Sequence, residues 1–249
     1  MNDCLKNLNR IEFVVTFACT GRCKHCQNGD PVNSTENIDA RAAEKALRSV
    51  CAHYRIESVM TFGGEPLLFP DAVCAIHKTA TETGIGKRQV ITNGYFSNNS
   101  ERIEAVARAL AESGVNELLL SVDAFHQETV PLEPVLYFAE RAVKEGIPAE
   151  LCPAWLVSPE ARNPYNDRTR EILRAFAPLG IPAGGDVIFP SGNALKYLRG
   201  YFDENVTESS PYEEDPEDIR SLSFSANGDV LNGNVYQTDI LEIIRTYRP

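Results

Sequence analysis

Residues 11–26 read Ile-Glu-Phe-Val-Val-Thr-Phe-Ala-Cys-Thr-Gly-Arg-Cys-Lys-His-Cys. The run Ile11–Phe17 is β-branched and aromatic, the composition of a buried strand. Three cysteines follow at once, Cys19, Cys23 and Cys26, in a C-x3-C-x2-C spacing. Three thiolates so spaced can hold three irons of a [4Fe–4S] cluster and leave the fourth open to another ligand. The spacing alone also admits zinc. A structural zinc site closes with four ligands, and here the fourth would be His25 or a distant residue.

Outward from this stretch the chain alternates strand and helix patterns. Asp39 can cap a helix to about Tyr54 with Ala42, Ala43, Ala46, Leu47 and Val50 on one face. Ser58–Phe62 is the second strand, and Pro70 opens a helix ending near Gly84. Gln89–Thr92, Glu117–Val122, Ala149–Val157 and Asp186–Phe189 are the next strands. Helices over Ser100–Ser113, Glu133–Glu145 and about Asp167–Pro178 stand between them. Six β-then-α units predict an α/β fold with a parallel sheet, because right-handed crossovers pack the helices outside it. Six is fewer than the eight of a closed barrel, so the expectation is a partial (β/α)6 TIM-like barrel over residues 1–192. An acidic loop and a short C-terminal extension would occupy 193–249.

Ligands in such folds sit at the carboxyl ends of the strands. Four polar or glycine-rich loops fall on that rim: the cysteine loop, Gly63-Gly64-Glu65-Pro66, Thr92-Asn93-Gly94, and Asp123 to His126.

The bulk composition narrows the class. The chain has 249 residues, 43% of them hydrophobic, enough for a sizeable core, and no apolar run long enough to span a membrane. Residues 1–10 are polar and lack a signal-peptide core, so a cytoplasmic protein is expected. Seven cysteines in such a chain suit metal binding and burial better than a disulfide framework. The net charge of −11 argues against a broad nucleic-acid footprint. Eight carboxylates crowd into 203–218, either as a solvated loop or as a contact surface for a basic substrate or partner.

The cysteine triplet together with Gly63-Gly64-Glu65-Pro66 after the second strand resembles the radical SAM superfamily. That family's pattern is C-x3-C-x-aromatic-C on the first βα loop and Gly-Gly-Glu-Pro after the second strand. His25 fills the position of the aromatic ring, and the resemblance runs from Ile11 to about Phe189. It implies that Cys19, Cys23 and Cys26 hold one [4Fe–4S] cluster. The open iron would chelate the amine and carboxylate of S-adenosylmethionine, and an electron, supplied by a donor such as flavodoxin or ferredoxin, would cleave the sulfonium to a 5′-deoxyadenosyl radical. Gly63 and Gly64 would let backbone approach the methionine ammonium. Glu65 would orient that loop or balance the amine, and Pro66 would stiffen its exit. Thr92 and Asn93 would line the cofactor pocket, Ser121 and Asp123 would meet the ribose or the methionine portion, and Ile188 would pack on adenine.

Other assignments concern the substrate. His126 is a candidate for proton handling or substrate binding, against a solvent-facing loop histidine. Cys152 is a candidate hydrogen-atom donor, against a buried structural thiol. Trp155 is a core residue or a substrate contact, and Lys196 and Arg199 meet a substrate carboxylate or lie on the surface. The tail from Leu222 has the cadence of the SPASM extension that carries extra clusters in peptide-modifying members, but no cysteine follows Cys152. One cluster is therefore expected. The tail is either a degenerate remnant capping the barrel mouth or a chance likeness. The substrate reading is a peptide or protein side chain; a small metabolite, glycyl-radical activation and a non-catalytic scaffold are the alternatives. Membrane and nucleic-acid partners are not expected.

Overall fold

Where the apolar period of the sequence is strong, helices start and stop at the residues built for it. The computed structural model describes residues 2–32 and 34–249. Helix α1 (Ala40–Cys51) is capped by the Asp39 carboxylate, which accepts from the Ala42 N–H at 2.8 Å, and it buries Ala43, Ala46, Leu47 and Val50. Helices α2 (Pro70–Glu82), α3 (Ser100–Glu112) and α4 (Leu132–Lys144) each end two residues before a glycine with positive φ: Gly84, Gly114 and Gly146. Helix α5 (Pro164–Ala175) starts earlier than expected because Asn163 caps it and Pro164 supplies its first turn.

The strands β1 (Arg10–Val14), β2 (Ser58–Phe62), β3 (Lys87–Thr92), β4 (Glu117–Leu120) and β5 (Ala149–Leu151) lie side by side in parallel. Alternate residues Ile11, Val59, Val90 and Leu118 enter one core with the inner faces of the helices. All four loops of the rim therefore leave from the same end of the sheet. Among the described residues no helix is long and apolar enough to cross a membrane.

The sixth strand of this sheet is not Asp186–Phe189. It is β6 (Ser221–Phe224), which pairs in parallel with β1, so the order is β5-β4-β3-β2-β1-β6. Residues 183–187 follow the far edge of β5 through only two isolated bridges, Leu151 to Ala183 and Trp155 to Val187. Pro153 has no N–H to continue that ladder. Gly185, at φ +92°, presses so close that a Cβ would lie 2.0 Å from the Pro153 carbonyl oxygen. The fifth strand is shortened to three residues by the same break.

The segment after residue 192 begins with a short helix, α6 (Gly192–Tyr197). After β6 it forms the hairpin β7 (Asp229–Val230) with β8 (Gly233–Asn234), and then helix α7 (Ile240–Thr246). In place of a cap over the mouth, the tail's main contacts run to the β1 edge and to α1. Phe224 stacks on Phe13 with ring centroids 4.8 Å apart. The Tyr236 hydroxyl accepts from the Asp39 N–H at 2.8 Å.

Candidate active site

Beyond β1 the chain runs straight into the cysteine loop, and the loop after β2 is hydrogen bonded to it. The Gly64 N–H donates to Thr16 O and the Glu65 N–H to Ala18 O, both at 2.7 Å. A Cβ on Gly63 would lie 2.4 Å from Thr16 O, and one on Gly64 would lie 2.0 Å from Ala18 O. The two glycines thus make room for the chain's own first loop. Glu65 is fully buried. Its carboxylate accepts from Thr92 Oγ1 at 2.6 Å, the Asn93 N–H at 2.8 Å and the Leu67 N–H at 2.9 Å. Burial pushes it up to about 7 against the pull of those three donors. Pro66 opens a single turn over Pro66–Leu68. Thr92 is committed to this network, also accepting from the Gly94 N–H. One buried carboxylate therefore ties the loops after β2 and β3 together, and β2's loop is tied to the cysteines.

The three sulfurs sit in this frame. Cys19 Sγ faces two donors, the Gly21 N–H at 3.3 Å and Asn93 Nδ2 at 3.6 Å. Burial pushes the Cys19 thiol up to about 11, and Glu65, Cys23 and Cys26 add to that; Cys26 is raised as well, chiefly by burial. Close buried sulfurs resist becoming thiolates by themselves, and iron relieves that cost. Donors aimed at a sulfur, three unpaired thiols and the buried, unpartnered Nδ1 of His25 fit a cluster held by Cys19, Cys23 and Cys26. Among the described residues no fourth cysteine lies in this loop.

Three residues of α6 brace the loop. The Asn193 N–H donates to Cys26 O at 2.9 Å and its side-chain amide to Cys23 O at 3.2 Å. Gly192, at φ +49°, lies so near that a Cβ would be 2.4 Å from Gln27 O. Lys196 Nζ pairs with Asp30 at 3.2 Å. Cys23 is buried in a small second core with Phe125, Leu156, Ile188, Ala194 and Leu198. Ile188 is thus placed under the cysteine loop. Gly192 and Asn193 escape sequence reasoning because their partners lie some 165 residues away; Ser191-Gly192-Asn193 at the start of a short helix is the one local signal.

The loop after β4 carries a buried pair. Asp123 accepts from the N–H groups of Phe125, His126 and Ala154 at 2.8, 2.9 and 3.0 Å, and from His126 Nδ1 at 2.8 Å. The His126 side chain is 15% exposed, so this is not a solvent-facing loop histidine. Burial pushes His126 down, but the Asp123 carboxylate and Cys23 outweigh it and hold the imidazole above its ordinary value. Burial pushes Asp123 up, and the His126 and His25 imidazoles outweigh that. His25 packs at 4.9 Å from the His126 ring and 5.1 Å from Phe125, and burial lowers it to about 4. The ligand atoms of His25, Asp123 and His126 fall within 4.8 Å of one another. Four donors already occupy the Asp123 carboxylate, so Asp123 and His126 form a hydrogen-bonded support with the His25 ring packed on it, rather than a second metal centre. Asp123 is turned into its own loop, whereas Ser121 is half-buried at the strand end.

Cys152 lies past β5, half-buried, with its thiol pushed up to about 12 by burial and then by Glu150, Asp186 and Glu117. Trp155 is buried and donates to Gly184 O at 3.3 Å. Arg199 is bound to the carbonyls of Glu204 and Val206.

Comparison with known proteins bears on this arrangement. The Radical SAM superfamily model matches residues 13–193. A GTP 3',8-cyclase from Moorella thermoacetica is 26% identical over 125 residues, 49% of this chain and 37% of that one. The chain therefore matches little more than a third of that relative's length. The crystal structure of Streptococcus suis SuiB bound to S-adenosylmethionine superposes with a TM-score of 0.63 at 15% identity, covering 96% of this chain and 66% of that one. Native anSMEcpe with bound AdoMet and Cp18Cys peptide gives a TM-score of 0.62 at 13% identity, with 96% and 80% covered. At these identities the structures speak for the fold. The family match spans the cysteine triplet, the Gly63–Pro66 loop and the barrel strands that carry them, and so this chain belongs to the radical SAM superfamily, enzymes that work with a [4Fe–4S] cluster and S-adenosylmethionine.

Proposed function

We propose that the chain binds one cluster through Cys19, Cys23 and Cys26, cleaves S-adenosylmethionine reductively, and abstracts a hydrogen atom from a peptide or protein side chain. The observation that carries the cleavage reading is the hydrogen-bonded junction of the cysteine loop with Gly63-Gly64-Glu65-Pro66. When bound, the cluster supplies the electron that converts S-adenosylmethionine to methionine and a 5′-deoxyadenosyl radical. The chain's own residues supply position and shielding. Asn93 and Gly21 hold the Cys19 sulfur, Glu65 holds the Gly63–Pro66 loop, and Asn193 holds the carbonyls of Cys23 and Cys26. Phe125, Leu156 and Ile188 keep water from the Cys23 side.

The peptide reading is supported by the fold shared with SuiB and anSMEcpe, the latter seen with a peptide, and by the SPASM-like tail. The relation to GTP 3',8-cyclases favours a small metabolite instead, over half of the chain. The test is anaerobic reconstitution with iron and sulfide, followed by dithionite and S-adenosylmethionine. About four irons per chain and 5′-deoxyadenosine above that of a Cys23→Ala control are the expected result. Product equal to the control refutes the proposal, and about eight irons refutes the single cluster.

A further inference from the structure

The side-chain amide of Asn93 is aimed at the Cys19 sulfur and is held there from every side. Its Nδ2 carries two hydrogens. One goes to Thr20 Oγ1 at 3.1 Å and the other to Cys19 Sγ at 3.6 Å. Its Oδ1 accepts from the Tyr95 N–H at 2.8 Å. The Thr20 hydroxyl donates to Tyr95 O at 2.7 Å, so it offers Asn93 a lone pair. A flipped amide would set its NH2 against the Tyr95 N–H and lose the Thr20 acceptor. The network therefore settles which end of the amide faces the sulfur.

The backbone is pinned as firmly. The Asn93 N–H donates to the buried Glu65 carboxylate at 2.8 Å. Gly94, the next residue, turns at φ +74°, where a Cβ would lie 2.8 Å from Leu120 Cδ1. Asn93 is 6% exposed. Water therefore does not stand in for its N–H, and a polar contact so enclosed acts at low local dielectric. The Gly21 N–H approaches the same sulfur at 3.3 Å. That donor travels with the cysteine loop, whereas Asn93 reaches in from the loop after β3, 74 residues further along the chain.

We propose that Asn93, acting through Cys19, sets the reduction potential of the cluster: its N–H bond to the sulfur makes the cluster easier to reduce. This rests on the cluster reading above and adds what one side chain does to the electron. Reduction brings one electron from the external donor, and Asn93 gives up no proton and changes no bond. The added negative charge spreads onto the ligating sulfurs. An N–H fixed on one of them stabilises the reduced form more than the oxidised one, because a hydrogen bond strengthens with the charge of its acceptor. Hydrogen bonds to the sulfurs are among the levers that set such potentials. Removing this donor should move the one-electron equilibrium against reduction by about tenfold, the size of one hydrogen bond.

The test is an anaerobic redox titration of the reconstituted full chain, followed by the EPR signal of the reduced cluster. Wild type, Asn93→Leu and Asn93→Asp are compared at equal iron content. Leucine keeps the volume and removes the donor. Aspartate keeps the acceptor for Tyr95 and turns an oxygen toward the sulfur. The midpoint should fall in Asn93→Leu by about 59 mV, which is tenfold for one electron, and at least as far in Asn93→Asp. A residue that only propped the loop would lower the iron content and leave the midpoint of the remaining clusters in place. Protein labelled with 15N in asparagine side chains alone gives a second readout: pulsed EPR of the wild type should show a weakly coupled 15N, which Asn93→Leu should lose. A midpoint within about twofold of the wild-type equilibrium in either variant, or no coupled side-chain 15N in the wild type, overturns the proposal. Where neither variant keeps iron, the wild-type spectrum decides alone. Failure of the wild-type chain to assemble a cluster refutes the enzyme reading and this inference with it. A wild-type cluster that cleaves S-adenosylmethionine without the shift or the coupling refutes this inference alone.

Discussion

Gly64→Ala distinguishes two explanations for the same glycine. If the glycine exists to admit the cofactor, the substitution harms only the loaded enzyme. In the structure the obstruction is internal: the new Cβ would meet Ala18 O at 2.0 Å, Ala18 C at 2.5 Å and Phe17 O at 2.9 Å. These are backbone atoms and cannot rotate away. Real Cβ contacts do not fall below 3.0 Å, so the two loops must separate by about 1 Å. The Glu65 N–H to Ala18 O bond, now 2.7 Å, then exceeds hydrogen-bonding range, and the Gly64 N–H to Thr16 O bond is strained with it. Two bonds at about 1 kcal/mol each, plus about 1–3 kcal/mol for overpacking, give a loss of about 3–5 kcal/mol. The assay is urea unfolding of the cluster-free protein followed by circular dichroism. Gly200→Ala is the control, since nothing lies within 4 Å of its Cβ position. A Gly64→Ala loss below about 1 kcal/mol in the cluster-free protein would refute the internal-packing argument and return the glycine to the cofactor.

Three other perturbations follow from the geometry. His77 is buried against Thr61 at 2.9 Å and is lowered by burial to about 3. The unfolded chain takes up its proton below about 6.5 while the native one does not, so stability falls as pH drops from 6.5 toward 3; the loss is about 2 kcal/mol at pH 5. Urea midpoints at pH 7 and 5 should differ less in His77→Gln than in the wild type, and an unchanged difference contradicts the assignment. Phe224→Ala removes a fully buried ring from the β1–β6 seam and should cost about 3–5 kcal/mol by chemical denaturation; a loss under 1 kcal/mol means that the tail strand is not docked. Asp123→Ala strands three N–H groups and an imidazole and should cost about 3 kcal/mol or more, whereas Asp123→Asn should recover part of that; equal losses in both argue against the hydrogen-bonded role.

What could be read from the sequence depended on how local each signal was. Ala43, Ala46, Leu47 and Val50 recur at helical spacing, so α1 was legible together with its Asp39 cap. Cys19, Cys23, Cys26 and the Gly63–Pro66 loop were legible as a pair of motifs. The role of the glycines was not, because Thr16 and Ala18, which they approach, lie in another loop. Asp186–Phe189 has strand composition but no usable partner beyond Pro153. Ser221–Phe224 has similar composition and does find one, on the opposite edge. Strand pairing across some 200 residues leaves no periodic trace. The same holds for Asn193 against Cys23 and for Asp123 against Ala154, where a polar residue declares its partner only after the chain has folded.

The place of β6 has a consequence for how the chain comes to be folded. Arg10 pairs with Ser58 on one side and with Ser221 on the other. The strand that leads into the cysteines is thus made well before β6, and one of its edges stays open until Ser221–Phe224 has been synthesised. An unpaired edge of this kind invites association with other nascent chains, and closing so long a loop is slow compared with local β–α assembly. Maturation should therefore have a vulnerable interval, in which the helices and the first five strands are formed while Phe13 still awaits Phe224. A chain shortened before residue 221 would remain in that interval permanently, prone to aggregate however intact its cysteines.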